Sequence, residues 1–102
     1  MINKAMQDAM NDQINKELYS SYLYLSMAAY LEDKNLSGFA HWMRIQEAEE
    51  REHAMKFYDF IVERGGRVTL KTIDAPRTEW KSTLELAEEV AAHEGMVTAS
   101  IY

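Results

Sequence analysis

Four side chains that can bind metals, Glu17, Glu50, His53 and Glu94, stand in line with apolar residues at helical spacing. Glu50 and His53 are three residues apart, which places a carboxylate and an imidazole one turn apart on the same face of a helix. Glu17 and Glu94 fall in the middle of two further amphipathic segments, on the apolar faces. Carboxylates gathered in an apolar interior carry a desolvation cost and repel one another. The pattern therefore indicates that a cation offsets their charge.

The residue types restrict the kind of cation. The apolar faces carry no lysine or arginine to neutralise the acids, which leaves a bound metal, or protonated acids in its absence. Carboxylate oxygens with one imidazole are typical of iron or manganese sites, and less distinctively of zinc sites. The alternative is ordinary, because Glu-x-x-His is common in helices and a single glutamate on such a face is often solvent-exposed. Three helices with acids at one depth favour the metal site.

Other residues near these positions have simpler interpretations. Tyr24 lies on the Glu17 face and is either a core tyrosine or a redox or hydrogen-bonding group beside the metals. Glu47 and Glu52 are expected on the solvent-exposed face of the second helix. His41 and His93 are expected at the surface or at an interface. Six apolar residues are expected in the core: Leu18, Leu25, Phe39, Met43, Phe57 and Phe60.

Length and composition restrict the class of protein. The 102 residues fit one domain, and the single proline and four glycines predict a mostly helical chain. The net charge of -6 argues against a nucleic-acid ligand. The absence of cysteine excludes disulfides and thiolate sites and, with no signal peptide or membrane-spanning run visible, favours a cytoplasmic protein.

Capping residues and glycines at intervals along the sequence predict three helices. The first helix spans about residues 4–33. The second is capped by Asn35 or Ser37, its apolar residues keep helical spacing to Arg64, and it stops at Gly65-Gly66. The third starts at the capping box Ser82-Thr83-Leu84-Glu85. Its apolar face is predicted to contain Leu84, Ala87, Ala91, Glu94, Thr98 and Ile101.

The connections between the helices predict how they meet. An antiparallel hairpin that turns near residues 33–36 places Glu17 opposite the interval between Glu50 and His53. The segment RVTLKTIDAPRTEW, residues 67–80, is too long for a tight turn and is interpreted as an ordered crossover. At ~3.3 Å per residue it reaches roughly 50 Å, enough to pass a helix of about 45 Å. The third helix is therefore expected to run parallel to the second.

Two segments carry a family resemblance. NDQINKELYSSYLYLSMAAYLEDKNLSGFAHWM followed by EEREHAMKFYDFIVERGG resembles a bacterial non-haem ferritin, and the likeness continues to AAHEGMVTASIY. The resemblance implies an all-α, ferritin-like four-helix bundle of which three helices and a long crossover are present, with the single domain at residues 1–102 incomplete. Members of this family have a fourth and a short fifth helix. We therefore expect the chain to be a fragment of a longer polypeptide; the alternative is that two chains complete each other's bundles.

The resemblance also implies roles for individual residues. It implies a ferroxidase centre in which Glu17 and His53 bind one iron, Glu50 bridges two irons, and Glu94 binds the second. Tyr24 matches the tyrosine beside that centre. The haem-binding relatives carry a methionine between the Glu and His of this motif, and no methionine stands between Glu50 and His53 here, so no haem is expected. Glu49 matches an acid of an additional third-iron site.

The function implied is iron storage. Two Fe(II) would be oxidised by O2, and the Fe(III) would enter a mineral core inside a hollow homo-oligomeric shell, of 24 subunits in this family. Two alternatives remain open at this point. One is a di-iron or di-manganese oxidase or peroxidase of the rubrerythrin type; the other is a truncated helical bundle that binds a partner helix and no metal.

Overall fold

Three helices make up the fold. The computed structural model describes the backbone of residues 1–101 and the side chains of residues 1–95, so the predicted face residues Thr98 and Ile101 lie outside the described side chains. The helices are α1 (Lys4–Asp33), α2 (Ser37–Glu63) and α3 (Thr83–Ile101). The described residues contain no strand, which confirms the all-α prediction. None of these helices combines the length and apolar character that a membrane crossing requires.

The first connection is a Schellman motif at the end of α1. Asn35 adopts the left-handed conformation with a φ of 62°. The Leu36 N–H donates to the Leu31 carbonyl at 2.9 Å, and the Asn35 N–H donates to the Glu32 carbonyl at 3.0 Å. The prediction that Asn35 or Ser37 caps α2 is therefore wrong. Leu36 is the N-cap residue and no side chain bonds there, because Asn35 serves to end α1.

A second Schellman motif ends α2 beside the N-terminus of the chain. Gly65 has a φ of 73°, a conformation that glycine adopts without a steric penalty. The Gly66 N–H donates to the Ile61 carbonyl at 2.9 Å, and the Ile2 N–H donates to the Arg64 carbonyl at 3.0 Å. The predicted glycine stop signal is confirmed within two residues.

Alanine at Gly66 is expected to destabilise the protein by about 1–3 kcal/mol, as overpacking does. An added Cβ would lie 2.7 Å from Ile2 Cγ2, 2.9 Å from Gln7 Oε1 and 3.0 Å from Ile61 Cγ2. Gly38→Ala is the matched control, because nothing lies within 4 Å of a Cβ at Gly38. Urea denaturation measures both variants, and equal stability of the two would contradict the packing argument.

The crossover, residues 67–82, is held against the first half of α1 by amide side chains. Asn11 is buried; it donates to the Arg67 carbonyl at 3.1 Å and accepts the Thr69 N–H at 2.9 Å. Its amide thus pairs with the extended backbone as another peptide group would. Three amide side chains of α1, spaced one turn apart, contact the crossover in this way: Gln7, Asn11 and Asn15.

The crossover then follows α1 to its other end. Ser26 Oγ donates to the Arg77 carbonyl at 2.7 Å, and the Tyr30 hydroxyl donates to the Trp80 carbonyl at 3.1 Å. Contacts thus move from Asn11 to Tyr30 as the crossover proceeds. α3 therefore begins at the end where α2 also begins, which confirms that the two helices run parallel.

The N-terminus of α3 contains half of the predicted capping box. Ser82 Oγ accepts the Glu85 N–H at 3.1 Å, as predicted. The Glu85 carboxylate does not return this bond to Ser82. It accepts the Lys81 N–H at 3.4 Å and pairs with the Arg77 guanidinium, so it holds the end of the crossover.

Among residues 1–95, buried apolar side chains form two clusters, and their membership corrects part of the predicted core. Met43 is fully buried as predicted, but Leu25 is 39% exposed and Leu84 68% exposed. On α3, Leu86 and Val90 are buried, so the helix is rotated relative to the prediction. The larger cluster contains Leu23, Tyr24, Met27, Ala28, Tyr30, Leu31, Ala40, Met43, Trp80, Leu86 and Val90. The smaller cluster contains Ile14, Ala54 and Ile61.

Candidate metal centre

Glu17 of α1 and Glu50 and His53 of α2 meet in the middle of the hairpin. One possible ligand atom from each residue lies within 4.8 Å of the other two. His53 Nδ1 is 3.7 Å from Glu17 Oε2 and 3.5 Å from Glu50 Oε2. Both glutamates are buried, at 2% and 4% exposure, while the imidazole of His53 is partly exposed. The antiparallel pairing of the two helices brings these three residues to one depth.

The three atoms that face one another have no hydrogen-bond partner. They are Glu17 Oε2, Glu50 Oε2 and His53 Nδ1, all of them buried. Buried polar atoms are nearly always hydrogen-bonded, because an unpaired one loses its hydration without compensation. The other oxygen of Glu17 does have a partner, the Gln13 amide at 3.0 Å. A cation between the three facing atoms would satisfy all of them.

The spacing of these atoms fits one metal ion. Two donor atoms that each lie ~2.1 Å from an ion are about 3 to 4.2 Å apart, depending on the angle between them. The distances from His53 Nδ1 to the carboxylate oxygens, 3.7 Å and 3.5 Å, fall within this interval. Two carboxylates and an imidazole suit Fe(II) or Mn(II). The residues present therefore fit a divalent cation.

Glu50 is an acid of the cluster whose pKa is shifted by its surroundings. Its burial, followed by its contact with Glu17 and the negative charges of Glu94 and Glu49, raises the pKa of Glu50 to about 8. At neutral pH, the metal-free protein therefore keeps a proton on this carboxyl group. Metal binding has to displace that proton, so binding should become stronger as the pH rises.

The stability of the metal-free protein is expected to decrease as the pH rises from 4.5, the ordinary glutamate pKa, to about 8. In this interval the native state holds the Glu50 proton and the unfolded state releases it, so raising the pH favours unfolding. Thermal unfolding in a chelator between about pH 5 and about pH 8.5 measures the effect. Glu50→Gln, which resembles the protonated acid, should flatten the decrease. The same pH dependence in both proteins would refute the prediction.

Tyr24 connects the cluster to α3. Its hydroxyl donates to Glu94 Oε1 at 2.7 Å, and its side chain is fully buried. Burial, together with the hydrogen bond and the charge of Glu94, raises the pKa of Tyr24 well above its usual range. The phenol therefore stays protonated and orients the carboxylate of Glu94. Glu94 itself is half-buried and stands beside the three-residue cluster rather than within it.

His93 lies beside Tyr24, although the sequence pattern places it off the apolar face of α3. Its Nε2 is 2.8 Å from Ser20 Oγ, and its ring meets Tyr24 edge to face with 5.5 Å between ring centroids. His93, predicted at the surface or at an interface, lies half-buried between α3 and α1. The contact joins residues 73 positions apart, so no local pattern could have revealed it.

Glu47 is the buried acid that the sequence did not reveal. It was predicted on the wet face of α2, but it is 8% exposed. Ser21 Oγ donates to Glu47 Oε1 at 3.3 Å, and the Arg51 guanidinium contacts the carboxylate at 3.2 Å. Its spacing from Glu50, one turn along the same helix, was the available signal. The remaining predicted surface residues Glu52 and His41 are exposed, and so is Glu49.

Comparisons with known proteins agree with this architecture. The ferritin-like domain model of the ferritin family matches residues 7–102. A bacterial non-heme ferritin of Bacteroides fragilis strain 638R is 46% identical over 98 residues, which cover 96% of this chain and 62% of that protein. The bacterial non-heme ferritin of Staphylococcus haemolyticus is 42% identical over 102 residues, 100% of this chain and 61% of that protein.

A solved structure gives the same result for the fold. An open-pore ferritin from the hyperthermophilic archaeon Archaeoglobus fulgidus superimposes with a TM-score of 0.91 at 52% identity, covering 97% of this chain and 61% of that chain. The chain thus spans about three fifths of the length of these relatives. The predicted resemblance and the ferritin-like bundle are confirmed, and the chain belongs to the ferritin family.

Proposed function

We propose that this chain is part of an iron-storage ferritin that oxidises Fe(II) with O2 at the site formed by Glu17, Glu50 and His53, with Glu94 completing it from α3. The observation that carries the proposal is the group of three buried, mutually facing ligand atoms without hydrogen-bond partners. Membership of the ferritin family supports iron as the metal. Ferritin-like di-iron proteins build such sites from glutamates and a Glu-x-x-His pair on facing helices.

Each residue has a distinct part in the proposed reaction. Glu17 and His53 hold one Fe(II), the carboxylate of Glu50 bridges to a second, and Glu94 binds that second ion. Glu50 loses its proton on binding, because the cations restore the stability of its charged form. Tyr24 holds the Glu94 carboxylate in place through its 2.7 Å hydrogen bond. Two bound Fe(II) ions together give two electrons to one O2, which takes up two protons and leaves as hydrogen peroxide, and both ions leave the site as Fe(III).

The rest of the proposal concerns the whole protein. Fe(III) enters a mineral core inside a hollow shell of identical subunits, and the exposed Glu49 beside Glu50 contributes to an additional iron site. We further propose that the fourth helix of the family bundle covers the open groove between α2 and α3. This groove is lined by Phe39, Trp42, Ala87, Val90, Ala91 and Glu94. The fourth helix would then complete the surroundings of Glu94.

An anaerobic Fe(II) titration followed by exposure to air tests the proposal. We expect stoichiometric Fe(II) binding, an early ferric absorbance after air is admitted, and a large hollow particle in light scattering and electron microscopy. Fast oxidation in a small particle would instead favour a rubrerythrin-type oxidase. No stoichiometric iron, manganese or zinc would favour the metal-free interaction module and would overturn the proposal.

A further inference from the structure

We infer that Gln13 is a positioning residue for the metal centre, which fixes the carboxylate of Glu17 so that one defined oxygen faces the metal. The inference rests on the proposed function, because it takes Glu17 as a ligand. Gln13 lies one turn before Glu17 on α1, and its Nε2 donates to Glu17 Oε1 at 3.0 Å. The residue is half-buried, at the inner edge of the helix.

The direction of this hydrogen bond follows from the chemistry of the partners. A carboxylate can only accept, so the amide of Gln13 must present its NH2 group to Glu17. The bond occupies Oε1 and leaves Oε2, which is buried, without a partner, and 3.7 Å from His53 Nδ1. The two oxygens of Glu17 therefore have different surroundings. Oε1 accepts the hydrogen bond from Gln13, and Oε2 can bind a cation.

A glutamate side chain needs such a contact to be well oriented. The last torsion of glutamate is broad and roughly two-fold, so packing alone does not select a carboxylate orientation. At 2% exposure Glu17 is shielded from water, and apart from the protonated Glu50 carboxyl that it contacts, the Gln13 amide is its one hydrogen-bond donor among the described residues. Fixing the ligand before metal binding removes an entropic cost at the moment of binding.

A neutral amide is suited to this position. Lysine or arginine would also bond to Glu17, but a positive charge one turn from the centre would repel the incoming cation. Gln13 orients the carboxylate and leaves its negative charge available. Outer contacts of this kind, when they are lost, commonly weaken metal affinity about 10- to 100-fold.

The test is the affinity for Co(II), which can be measured by calorimetry and by its visible absorption without oxidation. Gln13→Met keeps the length and helix propensity of the side chain and removes the donor. We expect about 10- to 100-fold weaker Co(II) binding, an altered absorption spectrum, and little change in the melting temperature of the metal-free protein. Gln7→Met is the matched control, because Gln7 accepts the Arg67 N–H of the crossover and bonds to no residue of the metal centre, and it should affect stability but not Co(II) affinity.

The outcomes separate this inference from the proposed function. If the unaltered protein bound no Co(II), or if Glu17→Ala left binding unchanged, the proposed site itself would be wrong. If the unaltered protein bound Co(II), Glu17→Ala abolished binding, and Gln13→Met bound with unchanged affinity and spectrum, the role of Gln13 alone would be overturned. A lower melting temperature with unchanged affinity would also overturn it, since it would show that Gln13 is merely structural.

Discussion

Replacement of Glu50 by alanine is expected to abolish the rapid oxidation of Fe(II) by O2, with a loss of at least about 100-fold in initial rate. Loss of an outer contact alone costs about 10- to 100-fold in metal affinity, and Glu50 is proposed to touch both ions. Its Oε2 is buried, unpaired and 3.5 Å from His53 Nδ1, so the replacement removes a ligand atom from the proposed site. Stopped-flow absorbance of ferric iron after anaerobic loading measures the rate.

Glu52→Ala is the control for this variant. Glu52 lies on the same helix two residues away and its side chain is exposed, so the same Glu-to-Ala replacement is made there without touching the site. Its oxidation rate should match that of the unaltered protein. Because the ligands act on shared ions, adding Glu17→Ala to Glu50→Ala should lower the rate little further. Unchanged kinetics in Glu50→Ala would remove Glu50 from the site.

Replacement of Trp80 by alanine is expected to cost about 3–5 kcal/mol of stability, the usual range for large aromatic residues in a core. Trp80 is 5% exposed and packs edge to face on Tyr30 with 5.3 Å between ring centroids. Its Nε1 donates to Glu89 at 3.1 Å, and the Arg77 guanidinium lies 5.3 Å from the ring centroid. Chemical denaturation of the metal-free protein measures the loss.

The position of Trp80 adds a second consequence. It lies where the crossover meets α3, the helix that carries Glu94, so its loss should also weaken binding of the second metal ion. Leu70→Ala is the control from the same crossover, because Leu70 is 66% exposed and should cost little. A loss in Trp80→Ala no larger than that in Leu70→Ala would show that the crossover does not hold α3 in place.

Helix identity and helix ends were largely predictable because their causes are local. The apolar period and the Gly65-Gly66 stop signal gave helix limits close to those observed, since left-handed glycine conformations depend on the residue itself. At Asn35 the local residue type did not decide the structure. Asparagine suits both a helix N-cap and a left-handed helix end, and the choice between them depended on how α1 turns into α2.

Burial was less predictable, because it depends on the neighbour as well as on the helix face. The carboxylate of Glu47 is buried in contact with Arg51, one turn along α2, and with Ser21 of α1, and the Ser21 contact depends on how the two helices pack. Leu25 and Leu84 have apolar side chains but remain exposed, because no described element covers them. Periodicity identifies an apolar face but not the angle at which it meets its partner.

The sequence by itself determined the three helices, the long crossover and the one-turn spacing of Glu50 and His53. Only the tertiary structure decided that Glu17 Oε2, Glu50 Oε2 and His53 Nδ1 face one another without partners, and that Tyr24 bonds to Glu94. The physical reason is the separation along the chain of the residues that cause each feature. Backbone conformation follows from neighbouring residues, whereas the unpaired state of an atom depends on every element packed around it.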